Sequence, residues 1–188
     1  DERRYHNSLD KTKYLMSSFC KHVGVTGTPQ VYNCAGEAVW VVPLVSYSAP
    51  SFDTEPDVEN VPLVPIQSSK DYTDSVWPEG MSALTDDAAN AMDALNDWLH
   101  KQMPEEDRAA LEKVLRATPQ EREAAGTRVI TFSHFVPRMD LIPEKRFLPN
   151  PELAKMVGSS ALKKRVIGIK PDMHVFGRSC FGWDATLG

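Results

Sequence analysis

Apolar positions recur at helical spacing over residues 8–22, where Leu9, Met16, Phe19 and Cys20, with Val23 just beyond, predict an amphipathic helix stopped by Gly24. A short strand is expected at 31–33. The run "AVWVVPLVSY" (38–47) is dense in β-branched and aromatic residues and reads as a buried strand, in which Pro43 marks a bulge or an edge. Residues 48–80 lose all periodicity and carry Pro50, Pro56, Pro62, Pro65 and Pro78, as long functional or interface-forming loops do. Helical pattern returns after Thr85, an N-cap followed by Asp86 and Asp87 at the positive end of the helix dipole, with Ala88, Met92, Leu95 and Leu99 on one face. Pro104 opens a second helix with Leu111, Val114 and Leu115 apolar. Residues 119–126 are polar, either helix or loop. "RVITFS" (128–133) is a clear strand. A proline-rich loop follows, then a short helix at 152–157, a longer one at 159–169 and a strand at 173–176. The alternation of strand, loop and helix predicts a layered α/β arrangement.

The chain has 188 residues, with 41% hydrophobic and 25% charged, so it falls in the globular class with enough length for one core. A net charge of -5 argues against a general nucleic-acid binder. The longest apolar run, 38–45, is far too short to span a bilayer and is broken by Pro43, so no transmembrane segment is expected. Cys20, Cys34 and Cys180 are an odd set with no C-x-x-C pair. They make neither a disulfide framework nor a redox or zinc module, and they point to an intracellular, reducing compartment, cytoplasm or organelle. Cys20 and His22 diverge on a helix and do not pair as ligands.

Two turns carry candidate chemistry. His134 sits at the exit of the 128–133 strand, and Arg178 and Cys180 follow the 173–176 strand after Gly177. A histidine at one strand end, with positions i and i+2 beyond another, is a metal-site layout. The segment "SHFVPRMDLIPEKRFLPNPELAKMVGSSALKKRVIGIKPDMHVFG", with "FGWD" after it, resembles the C-terminal half of the calcineurin-like metallophosphoesterases; the likeness extends more loosely through "VWVVPLVSYSAPSFDTEPD" and "SLDK". That resemblance implies part of a layered α/β/β/α sandwich, with a mixed sheet, flanking helices and the motif-bearing N-terminal half absent from this chain. It implies a site where two divalent metals activate a water and clamp phosphate oxygens. His134 matches the family's lone histidine ligand, while Arg178 and Cys180 stand where the family's last motif, G-H-x-H, has histidines. The D-x-H, G-D and G-N-H motifs that precede these in the family do not occur here, and Asp172–His174 is a decoy because it enters the last motif's own strand.

Arginine has five donors and no acceptor and stays protonated, so it cannot ligate a metal. Cysteine can, as thiolate, but one histidine and one cysteine fall short of a tight site. Arg178 is either an ion-paired arginine or a charge placed where a cation would sit; Cys180 is an inert thiol or a soft ligand. His174 is expected as a packed strand residue. Trp77 and Trp98 are core or interface anchors. The expected function is a non-catalytic metallophosphoesterase-like protein, a structural or accessory subunit with no cofactor, whose protein partner covers an exposed sheet face. The alternative is a partly seen metal-dependent phosphoesterase acting on phosphomonoesters or diesters. Its first three motifs would lie upstream, and a divalent metal (Mn, Fe or Zn) would occupy the completed site.

Overall fold

The computed structural model describes residues 5–59, 61–179, 182 and 184–186. Helix α1 runs Ser8–Tyr14, passes through a π-turn at Leu15–Phe19 and ends with Cys20–His22; the Asn7 side chain caps it by accepting the Asp10 N–H at 3.0 Å. The expected helix forms, but the π-turn interrupts its spacing and none of it is buried; Phe19 and Val23 stay 45% and 49% exposed. A hairpin follows: β1 (Gln30–Cys34) pairs antiparallel with β2 (Glu37–Leu44). Ala35 and Gly36 make its two-residue turn with φ of 52° and 89°, the left-handed pair that such hairpins need.

The long irregular stretch contains the short helix α2 (Lys70–Thr73). Helix α3 (Asp86–His100) starts at Thr85, whose hydroxyl accepts the Asp87 N–H at 3.4 Å. Helix α4 is Glu105–Arg116, and α5 is Pro119–Ala124, where Thr118 and Glu121 form a reciprocal capping box. Strand β3 (Thr127–Ser133), helix α6 (Ser160–Ile169) and strand β4 (Met173–Phe176) complete the fold. The four-stranded sheet is mixed, ordered β1-β2-β3-β4, with β2, β3 and β4 parallel. Pro43 lies past the last β1 pair, Gln30↔Val41, so β2 has only β3 beside it there and the missing N–H breaks no ladder bond; of the two expected roles, edge is the correct one. Among the described residues, no helix is long and apolar enough to cross a membrane.

Alternation along the strands sends Trp40, Val42, Leu44 and Val129 into one core with Ala88, Leu111, Leu162 and Ile169 from α3, α4 and α6. Both crossovers, β2 to β3 and β3 to β4, therefore lay their helices on the same face. Arg165 ties two of these helices together, its Nε 2.6 Å from Asp93 Oδ1 and its Nη1 2.9 Å from Asp97 Oδ1. The buried Arg122 of α5 donates to the carbonyls of Ile169 and Lys170, closing the end of α6, where Lys170 turns left-handed (φ 50°).

The opposite sheet face is uncovered among the described residues. Val39, Val41 and Pro43 of β2 are half-buried there, beside Ile130 and Phe132 of β3. Phe132 is 44% exposed, and Met173 and Val175 of β4 are 57% and 52% exposed. Arg128 marks one end of this face and is neutralised by Glu37, Glu123 and Asp172 at 3.6, 3.4 and 3.7 Å.

The proline-rich stretches on either side of β3's exit fold against each other. Phe52, Val136, Leu141, Ile142, Ala154 and Val157 form a second core. Gly158 is required at its centre, because a Cβ there would meet the Val136 carbonyl at 2.2 Å and the Phe52 ring at 2.6 Å. Lys145, whose side chain is 2% exposed, donates from Nζ to Asp53 at 2.7 Å and Asp57 at 2.8 Å, while its N–H donates to Glu55 at 2.7 Å. Burial alone would lower the lysine pKa; the bonds to Asp53 and Asp57 outweigh it and hold the pKa above the ordinary value.

Candidate functional site at the carboxyl ends of the parallel strands

In an open α/β sheet, ligands gather beyond the carboxyl ends of the strands. Here β2 runs out to Ser46, Tyr47 and Ser48, β3 to His134 and Phe135, and β4 to Gly177 and Arg178. The structure brings His134 to the Gly177 turn: a Cβ on Gly177 would stand 3.1 Å from the His134 carbonyl and 3.6 Å from its Nδ1. The His134 ring is exposed and meets Phe135 edge-on at 5.0 Å. Two of the three positions singled out from sequence therefore share one corner. The third, Cys180, lies outside the described residues.

Arg178 takes a left-handed backbone (φ 64°), an uncommon conformation for a residue with a Cβ. Its guanidinium pairs with Asp71 of α2 and lies 5.6 Å from the centre of the Phe135 ring. The Asp71 carbonyl in turn accepts the Tyr47 hydroxyl at 2.5 Å, and Tyr47 packs edge-on against Trp77 at 4.9 Å. Arg178 thus fastens α2 over the strand ends. Among the described residues, no group of three or more His, Cys, Asp or Glu is arranged to hold a metal ion.

Beneath this strap lie buried polar atoms. Among the described residues, Ser46 Oγ, Ser48 Oγ, Tyr72 OH and Trp77 Nε1 find no hydrogen-bond partner. The Tyr72 hydroxyl stands beside Ser48 without completing a bond, and burial pushes its pKa up to about 12.

One turn back along the strands, His174 is held between two hydroxyls: Thr131 Oγ1 is 2.7 Å from Nδ1 and Ser133 Oγ is 3.1 Å from Nε2. Ser133 already donates to the Phe135 carbonyl at 2.7 Å, so it accepts from Nε2–H, and Thr131 donates to Nδ1. The ring is neutral, and burial lowers its pKa to about 4. This contact is structural: the serine proton points at a carbonyl, away from the ring. Asp172 does not join His174; its Oδ2 accepts the Val129 N–H at 2.7 Å.

Asp71 and Lys145 were missed from sequence because both act from irregular proline-rich segments. The Thr131–Ser133–His174 set carried a usable signal, the period of two that puts i and i+2 on one face. No family model, no curated protein and no solved structure matches the chain.

Proposed function

We propose that this chain is a non-catalytic, metallophosphoesterase-like accessory subunit that works by binding a protein partner. The observation that carries the reading is the uncovered apolar sheet face. A parallel sheet is stable when both faces are covered, and here both crossovers cover the same one. Large contiguous apolar surfaces mark interaction sites. The family resemblance supports the same reading, since it implies a second layer on this face. Arg178 supports the non-catalytic part. It stands at a family ligand position, cannot coordinate a cation, and is spent on Asp71 and the Phe135 ring.

The test has two readouts on material isolated from its natural source. The chain is expected to migrate within a larger assembly. It is expected to hydrolyse neither p-nitrophenyl phosphate nor its diester above the protein-free rate when Mn²⁺ or Zn²⁺ is supplied. Metal-dependent turnover that co-purifies with the chain would overturn the non-catalytic reading.

A further inference from the structure

The strap over the strand ends closes at a cost. The Tyr72 hydroxyl of α2 and the Ser48 hydroxyl at the exit of β2 lie beside each other with essentially no surface open to water, and among the described residues neither finds a partner. A buried donor or acceptor left unpaired has given up its bonds to water for nothing, so both groups favour an arrangement that lets water in.

The forces that hold the strap down are few. None of α2 is fully buried. Asp71 takes both fastenings: its carboxylate pairs with Arg178, and its carbonyl accepts the Tyr47 hydroxyl at 2.5 Å. The ion pair is open to solvent, its side chains 24% and 30% exposed, so it resists opening only weakly. The Tyr72 ring rests on the main core from a partly buried position. Both ends of the strap are anchored apart from these contacts. Ile66 is buried at one end. At the other, the Ser8 N–H donates to the Val76 carbonyl at 2.7 Å, and the Val76 N–H donates to Ser8 Oγ at 3.0 Å.

We propose that residues 69–75 form a lid, latched by Arg178 and Asp71, that lifts between these fixed ends while the sheet stays folded. Lifting hydrates Tyr72 and Ser48 and bares the exit of β2, at the sheet end where open α/β folds take ligands. The lid is independent of the accessory-subunit reading, since it involves neither the uncovered sheet face nor a partner.

The test labels a buried thiol in the full chain. Ser48→Cys puts a near-isosteric thiol under the lid, and Val129→Cys puts one in the main core as the control. Each is treated with a small thiol reagent in urea below the unfolding transition, and labelling is located by mass. Labelling at position 48 is expected to be nearly independent of urea, while that at 129 rises steeply, because only global unfolding exposes a large surface. In the Ser48→Cys chain, Asp71→Asn should speed labelling about threefold. Tyr72→Phe, which keeps the ring and removes the unpaired hydroxyl, should slow it about fivefold. The same urea dependence at 48 and 129 overturns the lid, and so does a Tyr72→Phe rate that is unchanged or faster. If a cysteine variant fails to fold, amide exchange in the unaltered chain makes the urea comparison. The N–H groups of Tyr72, Thr73 and Asp74 bond only within the strap, to Ser69 and Lys70, and one turn of helix does not persist once lifted.

Discussion

His174 is the side chain whose surroundings make the sharpest statement about pH. Its neutral ring is locked by one donated and one accepted hydroxyl bond, and its pKa falls from 6.5 to about 4 through burial. Above about pH 6.5 the ring is neutral folded or unfolded, and the contribution is complete. As pH drops from 6.5 towards 4, the unfolded chain takes up a proton that the fold refuses, so stability declines; below about 4 the loss is complete. His100, lowered mainly by burial, acts in the same direction. Urea midpoints measured from pH 7 to pH 4 should therefore fall less steeply for His174→Gln than for the native chain; equal slopes would contradict the assignment. Lys145 makes the second residue-scale prediction. Lys145→Met strands the buried Asp53 carboxylate and should cost about 3 kcal/mol in chemical denaturation, against near-neutrality if the pair were solvated. His134 and the Gly177 turn could be brought together from sequence, because both follow parallel strands. Asp71 as the partner of Arg178 could not, because it reaches the site from an aperiodic segment whose path is set by tertiary contacts alone.

Elements with strong periodicity declared themselves. Helices α3, α4 and α6 and strands β2, β3 and β4 follow from spacing and caps, and Thr85 caps α3 as its context predicts, while the Thr118–Glu121 box makes helix of 119–124, where the sequence allowed helix or loop. The hairpin was legible in its strands, since the strand expected at 31–33 lies inside β1 and β2 was evident, but not in its turn, where a left-handed Ala35–Gly36 pair replaces the usual Asn-Gly. Segments 48–68 and 134–150 were opaque because they have no repeat, whereas the short helix expected at 152–157 is present as a 3-10 helix over Pro151–Met156. They are shaped by a second core, by Lys145 and by the Asn150–Val64 pairing, whose bonds are 3.4 and 2.9 Å. That account predicts a specific sensitivity. Gly158→Ala should destabilise the fold by about 2 kcal/mol, since the added methyl meets backbone and a packed ring. Gly24→Ala, with open space around the missing Cβ, meets no packing clash and should lose only what its left-handed backbone costs, about 1 kcal/mol. Thermal melts of the two variants compare them directly, and equal losses would deny the second core its role.

At the scale of the whole molecule, the chain is a mixed sheet with helices on one side and an apolar surface on the other. The continuous apolar run of β2 puts apolar side chains on both sheet faces, and the resemblance implied that one face would be exposed; which face the crossovers would choose depended on the packing of α3, α4 and α6. The central proposal is that a partner protein covers this face. Phe132→Lys with Val175→Lys places two charges at exposed positions on the uncovered side, away from either core. The measurement that tests the claim most directly is the size of the natural assembly carrying the native chain beside that carrying the double variant. The account predicts that the native chain migrates in a larger complex, and that the variant is released as a free chain with an unchanged melting temperature. A variant that stays in the complex, or a native chain that was never in one, would contradict it.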